Sequence, residues 1–157
     1  MSASASALLC LVVAISDGDT LTARCGAPGA YAQVKVRIAA IDAPESRQAF
    51  GQRARQNLAQ LCFRQQARLY RLGHDVYGRT LAHVRCQGQD VGTAQVRAGL
   101  AWVYAPQARQ YPRLVALQRQ ARASHTGLWS QKRPLAPWDY RHQYPQQYRH
   151  QPARQHP

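Results

Sequence analysis

Seven acidic residues are present among 157, and four of them, Asp17, Asp19, Asp42 and Glu45, fall between positions 17 and 45. Two carboxylates alternate around an Asp17-Gly18-Asp19 turn. A third, Asp42, ends an apolar run just before Ala43-Pro44, and Glu45, the only glutamate in the chain, follows directly. Hard carboxylate oxygens suit calcium or magnesium, and a glutamate presented from a short loop can take a proton from water. Each motif alone also reads as plain structure, Asp-Gly as a hairpin signal and Asp-Ala-Pro as a strand-ending turn. Together they need more, because crowded carboxylates are costly unless a cation or an arginine compensates them. Arg37 lies on the run that leads to Asp42, and Arg79 follows Asp75-Val76-Tyr77-Gly78. Two arginines facing such acids can grip a phosphodiester and stabilise the added charge of its five-coordinate transition state.

The rest of the chain is strongly basic. Lysine and arginine number 21, 19 of them arginine, against 7 acids, for a formal charge of +14. That field favours a polyanion, most simply nucleic acid, and arginine's planar fork holds phosphate oxygens bidentately where lysine cannot. No run approaches the ~20 apolar residues of a membrane span, so no membrane partner is expected.

Positioning four acids requires strands and turns in a definite order. Residues 8–15 and 20–25 are apolar and rich in β-branched side chains, and they flank the Asp17-Gly18 turn as a hairpin. A third strand covers 33–41, with Arg37 on the face opposite Val34, Val36 and Ile38. The period then changes to that of an amphipathic helix over 46–66. Strands over 67–72 and 80–86 follow. A helix over 91–98 is capped by Asp90 and ended by Gly99, 100–104 is extended, and a last helix runs over 112–127 behind Pro112. The order predicts an α+β, mainly β fold: a five-stranded OB-fold β-barrel with three packed helices. The domain spans 8–130, after a flexible segment over 1–7. Residues 131–157 hold five of the nine prolines, six glutamines and three histidines, and read as a disordered basic tail. His142, His150 and His156 match no helical metal-ligand spacing.

Four cysteines, Cys10, Cys25, Cys62 and Cys86, form no C-x-x-C pair, so disulfides are expected rather than a zinc ribbon. A two-residue hairpin centred on Asp17-Gly18 sets Cys10 opposite Cys25, within disulfide reach. Cys62 and Cys86 pair by elimination; four reduced, buried cysteines are the alternative. Positions 2–7 alternate serine and alanine like the region around a cleavage site, which suggests an export signal upstream of this sequence and a periplasmic or secreted protein.

Several ordered motifs carry a resemblance: Ile15-Ser16-Asp17-Gly18-Asp19-Thr20-Leu21, Val36-Arg37 through Asp42-Ala43-Pro44-Glu45, Phe50-Gly51, Asp75-Val76-Tyr77-Gly78-Arg79, Val96-Arg97-Ala98-Gly99-Leu100-Ala101 and Gly127-Leu128-Trp129-Ser130. Over about residues 10 to 130 the chain resembles the staphylococcal-nuclease-like (thermonuclease) family. The resemblance implies a calcium-dependent phosphodiesterase acting on DNA and RNA that leaves 3′-phosphate ends; a single-stranded or locally open substrate and a monomeric protein are expected. It implies that Asp19, Asp42 and the carbonyl of Ala43 bind Ca2+, with Asp17 behind them. Glu45 would be the general base, Arg37 and Arg79 would hold the phosphate, and Tyr77, Trp102 and Tyr104 would line the substrate groove. The family's type member has threonine where Ala43 stands, and lysines in the loop after the glutamate that this chain lacks. The competing class is a non-catalytic OB-fold module that binds nucleic acid with the same arginines and aromatics.

Overall fold

A computed structural model describes residues 6–148 of the chain. Strands β1 (Leu8–Asp17) and β2 (Thr20–Cys25) form the expected hairpin. Cys10 faces Cys25 and Val12 faces Ala23, but β1 then carries one extra residue between Val12 and Ala14 and another between Ile15 and Asp17. These irregularities move the tip, so that Asp17 pairs with Thr20 and the loop is Gly18-Asp19, one residue later than the sequence places it. Gly18 has no positive φ. What it requires is space: a Cβ there would lie 2.6 Å from that of Ala54 and 2.8 Å from that of Ala43. The acidic turn is thereby pressed between the first helix and the Asp42 segment.

Strand β3 (Ala32–Ile38) pairs with β2, placing Arg37 opposite Thr20. It stops three residues before the expected end at 41. The Ile38 N–H donates to the Asp19 carbonyl (2.8 Å) and the Ala39 N–H to the Ala82 carbonyl (2.9 Å), after which Ala40, at φ 72°, turns the chain out of the barrel. Ile41 and Asp42 form a separate short strand, β4 (Ile41–Asp42). Helix α1 (Gly51–Cys62) is shorter than the predicted 46–66, because Phe50 (φ 68°) and Arg64 (φ 61°) are left-handed at its two ends. Its buried stripe is Gly51, Ala54, Leu58 and Cys62, at the three- and four-residue spacing of one helix face.

Strands β5 (Gln66–His74) and β6 (Thr80–Cys86) are antiparallel, and β6 runs parallel to β3 with Thr80 opposite Val36. That pairing closes a five-stranded mixed barrel of β1, β2, β3, β5 and β6. The chain continues through β7 (Gln89–Asp90) and α2 (Val91–Arg97), capped by Asp90 accepting the Thr93 N–H at 2.9 Å. Strand β8 (Trp102–Val103) pairs antiparallel with β4, setting Trp102 opposite Asp42. Helix α3 (Pro112–Ala123) follows. In the core Val12, Leu21, Val36, Ile38, Leu69 and Val84 of the barrel strands and Leu58 of α1 are buried, each contributing about 1.5–3 kcal/mol of transfer free energy.

Cys10–Cys25 and Cys62–Cys86 are both disulfide-bonded, closing sequence separations of 15 and 24 residues. Loops of this size are stabilised by about 3 kcal/mol each in the chain-entropy account. The tail reading is corrected over residues 131–148. A fourth helix, α4 (Pro137–Gln143), forms there with Pro137 in its first turn, and a 3₁₀ turn (Pro145–Tyr148) follows it. Aromatic packing replaces the missing aliphatic residues: Tyr140 is buried, and Trp138 stands edge-on to Trp102 with ring centroids 5.5 Å apart. The remainder of the predicted tail, with His150 and His156, and residues 1–5 of the N-terminal segment lie outside the described residues. Among the described residues no helix is long and apolar enough to cross a membrane.

Candidate active site

Asp19 at the hairpin tip and Asp42 in β4 are brought together and buried, at 5% and 1% exposure. Their alignment is fixed from the backbone. Asp19 accepts the Ala43 N–H on Oδ2 (2.7 Å) and the Thr20 hydroxyl on Oδ1 (3.0 Å), while Asp17 accepts the Asp19 N–H at 3.0 Å. Arg37 spans the two acids: its Nη2 is 3.5 Å from Asp19 and 3.6 Å from Asp42. Its Nη1 donates to the carbonyls of Ile38 (2.6 Å) and Ile41 (2.9 Å). The early end of β3 matters here, since it leaves those carbonyls free to hold the guanidinium.

Glu45 sits on the loop between β4 and α1. The Glu45 N–H donates to the Gln48 side-chain oxygen (3.1 Å), and the Gln48 N–H returns to the Glu45 carbonyl (2.9 Å). Gly51 packs directly on this loop, where a Cβ would overlap the Glu45 carbonyl oxygen. Gly51→Ala is therefore expected to displace Glu45 and to destabilise the fold by about 1–3 kcal/mol, the usual cost of overpacking. Urea unfolding measured beside turnover checks this; a variant unchanged in both would show that α1 does not hold the Glu45 loop.

A further side chain enters from α4. Arg141 donates from Nη2 to Asp42 Oδ2 (2.8 Å) and from Nη1 to both Asp42 Oδ1 (3.2 Å) and Glu45 Oε1 (2.6 Å). Burial pushes the Asp17 carboxyl up to about 8, with the Asp19 charge adding to it. Burial also opposes ionisation of Asp19, but Arg37 and the hydrogen bonds to Asp19 outweigh it and leave that carboxyl below its ordinary value. Asp17 thus keeps the proton of the pair. Asp42 and Glu45 are raised by burial, with Arg141 pulling against it in both. Arg37 and Arg141 are held above the ordinary arginine value by their carboxylates, despite burial. Asp42 is read as ionised, because it accepts two parallel guanidinium bonds, one on each oxygen.

The remaining expected residues are placed less uniformly. Arg79 does not join the acids: its Nε bonds Asp75 at 2.6 Å, and its guanidinium lies 5.2 Å from the Tyr77 ring centroid. Tyr77 and Tyr104 are exposed. Trp102 packs between Trp129 (4.5 Å) and Trp138 (5.5 Å), so α4 covers one of its sides.

Residues 35–131 match the protein family described as Staphylococcal nuclease homologue. The chain belongs to that family. It is 44% identical over 137 residues to an uncharacterized endonuclease of Haemophilus influenzae, covering 85% of this chain and 73% of that protein. It is 38% identical over 144 residues to a micrococcal nuclease of Shigella flexneri, covering 83% of this chain and 78% of that protein. A protein of Escherichia coli named ParB is 39% identical over 140 residues, covering 83% and 77%. The family match ends before α4, so the helix that carries Arg141 lies beyond it.

In this family member the donor set fits a hard cation. Asp19 and Asp42 offer only oxygen, and burial, with the Asp19 charge adding to it, raises Asp42, so a cation there would relieve both the desolvation and the crowding of the two carboxylates. Among the described residues no three His, Cys, Asp or Glu side chains cluster tightly enough to form a metal site alone, so a cation at Asp19 and Asp42 would need carbonyl and water ligands as well. Sequence reasoning missed Arg141 and Gln95. Gln95 is fully buried and donates to the carbonyls of Gly18 (2.7 Å) and Ala54 (2.9 Å), tying the acidic turn to α1. Its place in the pattern of α2 gave no sign of this. For the helix that carries Arg141 a signal existed, since Pro137 and Asp139 mark a helix start and Arg141 lies in the last turn, but none pointed to its contact with Asp42 and Glu45.

Proposed function

We propose that this nuclease is a Ca2+-dependent phosphodiesterase that cuts single-stranded or locally open DNA and RNA and leaves 3′-phosphate ends. The observation that carries the reading is the convergence of Asp19, Asp42 and Arg37 on one centre, with Arg37 Nη2 3.5 and 3.6 Å from the two acids. Asp19, Asp42 and the Ala43 carbonyl would hold the cation, supported from behind by Asp17. Calcium, when bound, supplies Lewis-acid polarisation of a phosphoryl oxygen. Glu45 takes the proton from water as the water oxygen bonds to phosphorus. The bond from phosphorus to the 5′-oxygen breaks, that oxygen is protonated from solvent, and the phosphate stays on the 3′ side. Arg37 and Arg79 stabilise the charge that builds on the phosphoryl oxygens, while Tyr77 and Tyr104 offer exposed rings for base stacking.

Two disulfides favour an oxidising compartment, periplasmic or extracellular, and the protein is proposed to act as a monomer. The test is cleavage of single-stranded DNA and of RNA in calcium, with and without chelator, with end-group analysis of the products. Chelator-sensitive cleavage with 3′-phosphate ends is expected; retention of both polymers without cleavage would leave a binding module instead.

A further inference from the structure

Among the described residues, the ion pairs at the acidic centre come from two arginines with different origins. Arg37 is fixed on a barrel strand by two backbone carbonyls, whereas Arg141 arrives on a seven-residue helix from beyond the barrel and spends its guanidinium on Asp42 and Glu45. Both oxygens of Asp42 are used, at 3.2 and 2.8 Å, by donors that a cation would have to displace. Resting on the metal reading above, we propose that Arg141 is an internal counter-cation of the active centre: it neutralises Asp42 and holds Glu45 while no metal is bound, and it leaves Asp42 when a divalent cation binds there.

The helix is attached by contacts that can survive such a move. Gln48, the residue that bonds the Glu45 N–H, also donates from Nε2 to the Leu135 carbonyl at 2.6 Å, just before α4. Tyr140 is buried and donates to Gln147 at 2.8 Å. Arg141 itself is the half-exposed member, at 36% side-chain exposure against 2% for Asp42. The guanidinium can therefore swing toward solvent while the carboxylate stays in place. Charge counting leads the same way: a site that gains two positive charges no longer needs the arginine on Asp42, and the two cations repel. A protein held mostly in the Arg141-engaged state binds metal more weakly in proportion to the fraction that is disengaged.

The experiment is calcium titration of the whole chain by calorimetry, with tryptophan fluorescence followed in parallel. Arg141→Gln is expected to bind Ca2+ about tenfold more tightly than wild type, the shift produced if about nine-tenths of the wild-type protein is engaged. Arg141→Lys, which keeps one charge but cannot bond both carboxylates bidentately, should fall between them. Trp138 lies one helical turn before Arg141 and touches Trp102, so calcium should change the fluorescence of wild type and change that of Arg141→Gln much less. Asp42→Asn controls for the site and should abolish binding in every background. Equal calcium affinity in wild type and Arg141→Gln, or weaker binding in the variant, overturns the proposal and leaves the metal reading standing. No calcium binding in either form overturns both. Thermal melting of each variant establishes that the folded protein is being titrated.

Discussion

Glu45→Gln is expected to lower kcat by ~10² or more, the scale of a lost general base, with little change in melting temperature. The substitution keeps size and shape, and the amide oxygen can still accept from Arg141 Nη1, the 2.6 Å partner of the native carboxylate. It leaves the Glu45 N–H bond to Gln48 untouched. What it removes is proton-accepting ability, so the defect should lie in kcat with substrate binding preserved. The acid limb of the rate profile gives a second readout. Burial raises the Glu45 carboxyl and Arg141 works against that rise, so the limb belongs at or above the ordinary glutamate range and should vanish in the variant. Turnover within a few-fold of wild type would remove Glu45 from the base role and leave water activation to another group.

The acid centre was legible because local rules place its members. Strand alternation puts Arg37 on the face opposite Val36 and Ile38, and the Asp-Gly turn and the Asp-Ala-Pro break put Asp19 and Asp42 at strand ends, where the barrel brings them together. The Cys10–Cys25 pair was legible for a partly different reason from the one assumed. The turn lies one residue later, and the two irregularities in β1 compensate for the displaced tip by the time the ladder reaches the cysteines. Bulges of this kind leave no mark in hydrophobic periodicity. Arg141 was hidden by composition: a segment rich in proline, glutamine and histidine lacks aliphatic residues, and α4 is held instead by Trp138, Tyr140 and an ion pair spanning ninety-odd positions, 99 between Asp42 and Arg141. Such a contact depends on tertiary placement, about which neither propensity nor pattern carries information.

Arg79→Ala is expected to cost ~10²–10³ in kcat, as removal of a transition-state charge partner does elsewhere, even though Arg79 touches none of the four clustered acids in this structure. The geometry of its own clasp is the reason. Asp75 accepts the backbone N–H groups of Tyr77 (2.9 Å) and Arg79 (3.0 Å) on one oxygen and the Arg79 Nε on the other (2.6 Å). The carboxylate therefore grips the Nε side of the guanidinium, and no Nη bond from Arg79 is formed among the described residues, which leaves the fork free for two phosphate oxygens. Strand pairing sets this turn beside the strand that carries Arg37: Thr80, the next residue, is opposite Val36, and Leu81 is opposite Arg37. A lysine at 79 has one point charge to divide between Asp75 and phosphate, so Arg79→Lys should recover only part of the loss. Asp75→Asn, which loosens the aim without removing the charge, should cost less than Arg79→Ala. Stability separates this from a structural role, since a partly exposed ion pair between residues four apart contributes about 0–1 kcal/mol, so Arg79→Ala should melt near wild type while its turnover falls. Should turnover stay near wild type instead, the Asp75–Arg79 pair is a turn clasp alone, and Arg37 carries the phosphate contact without it.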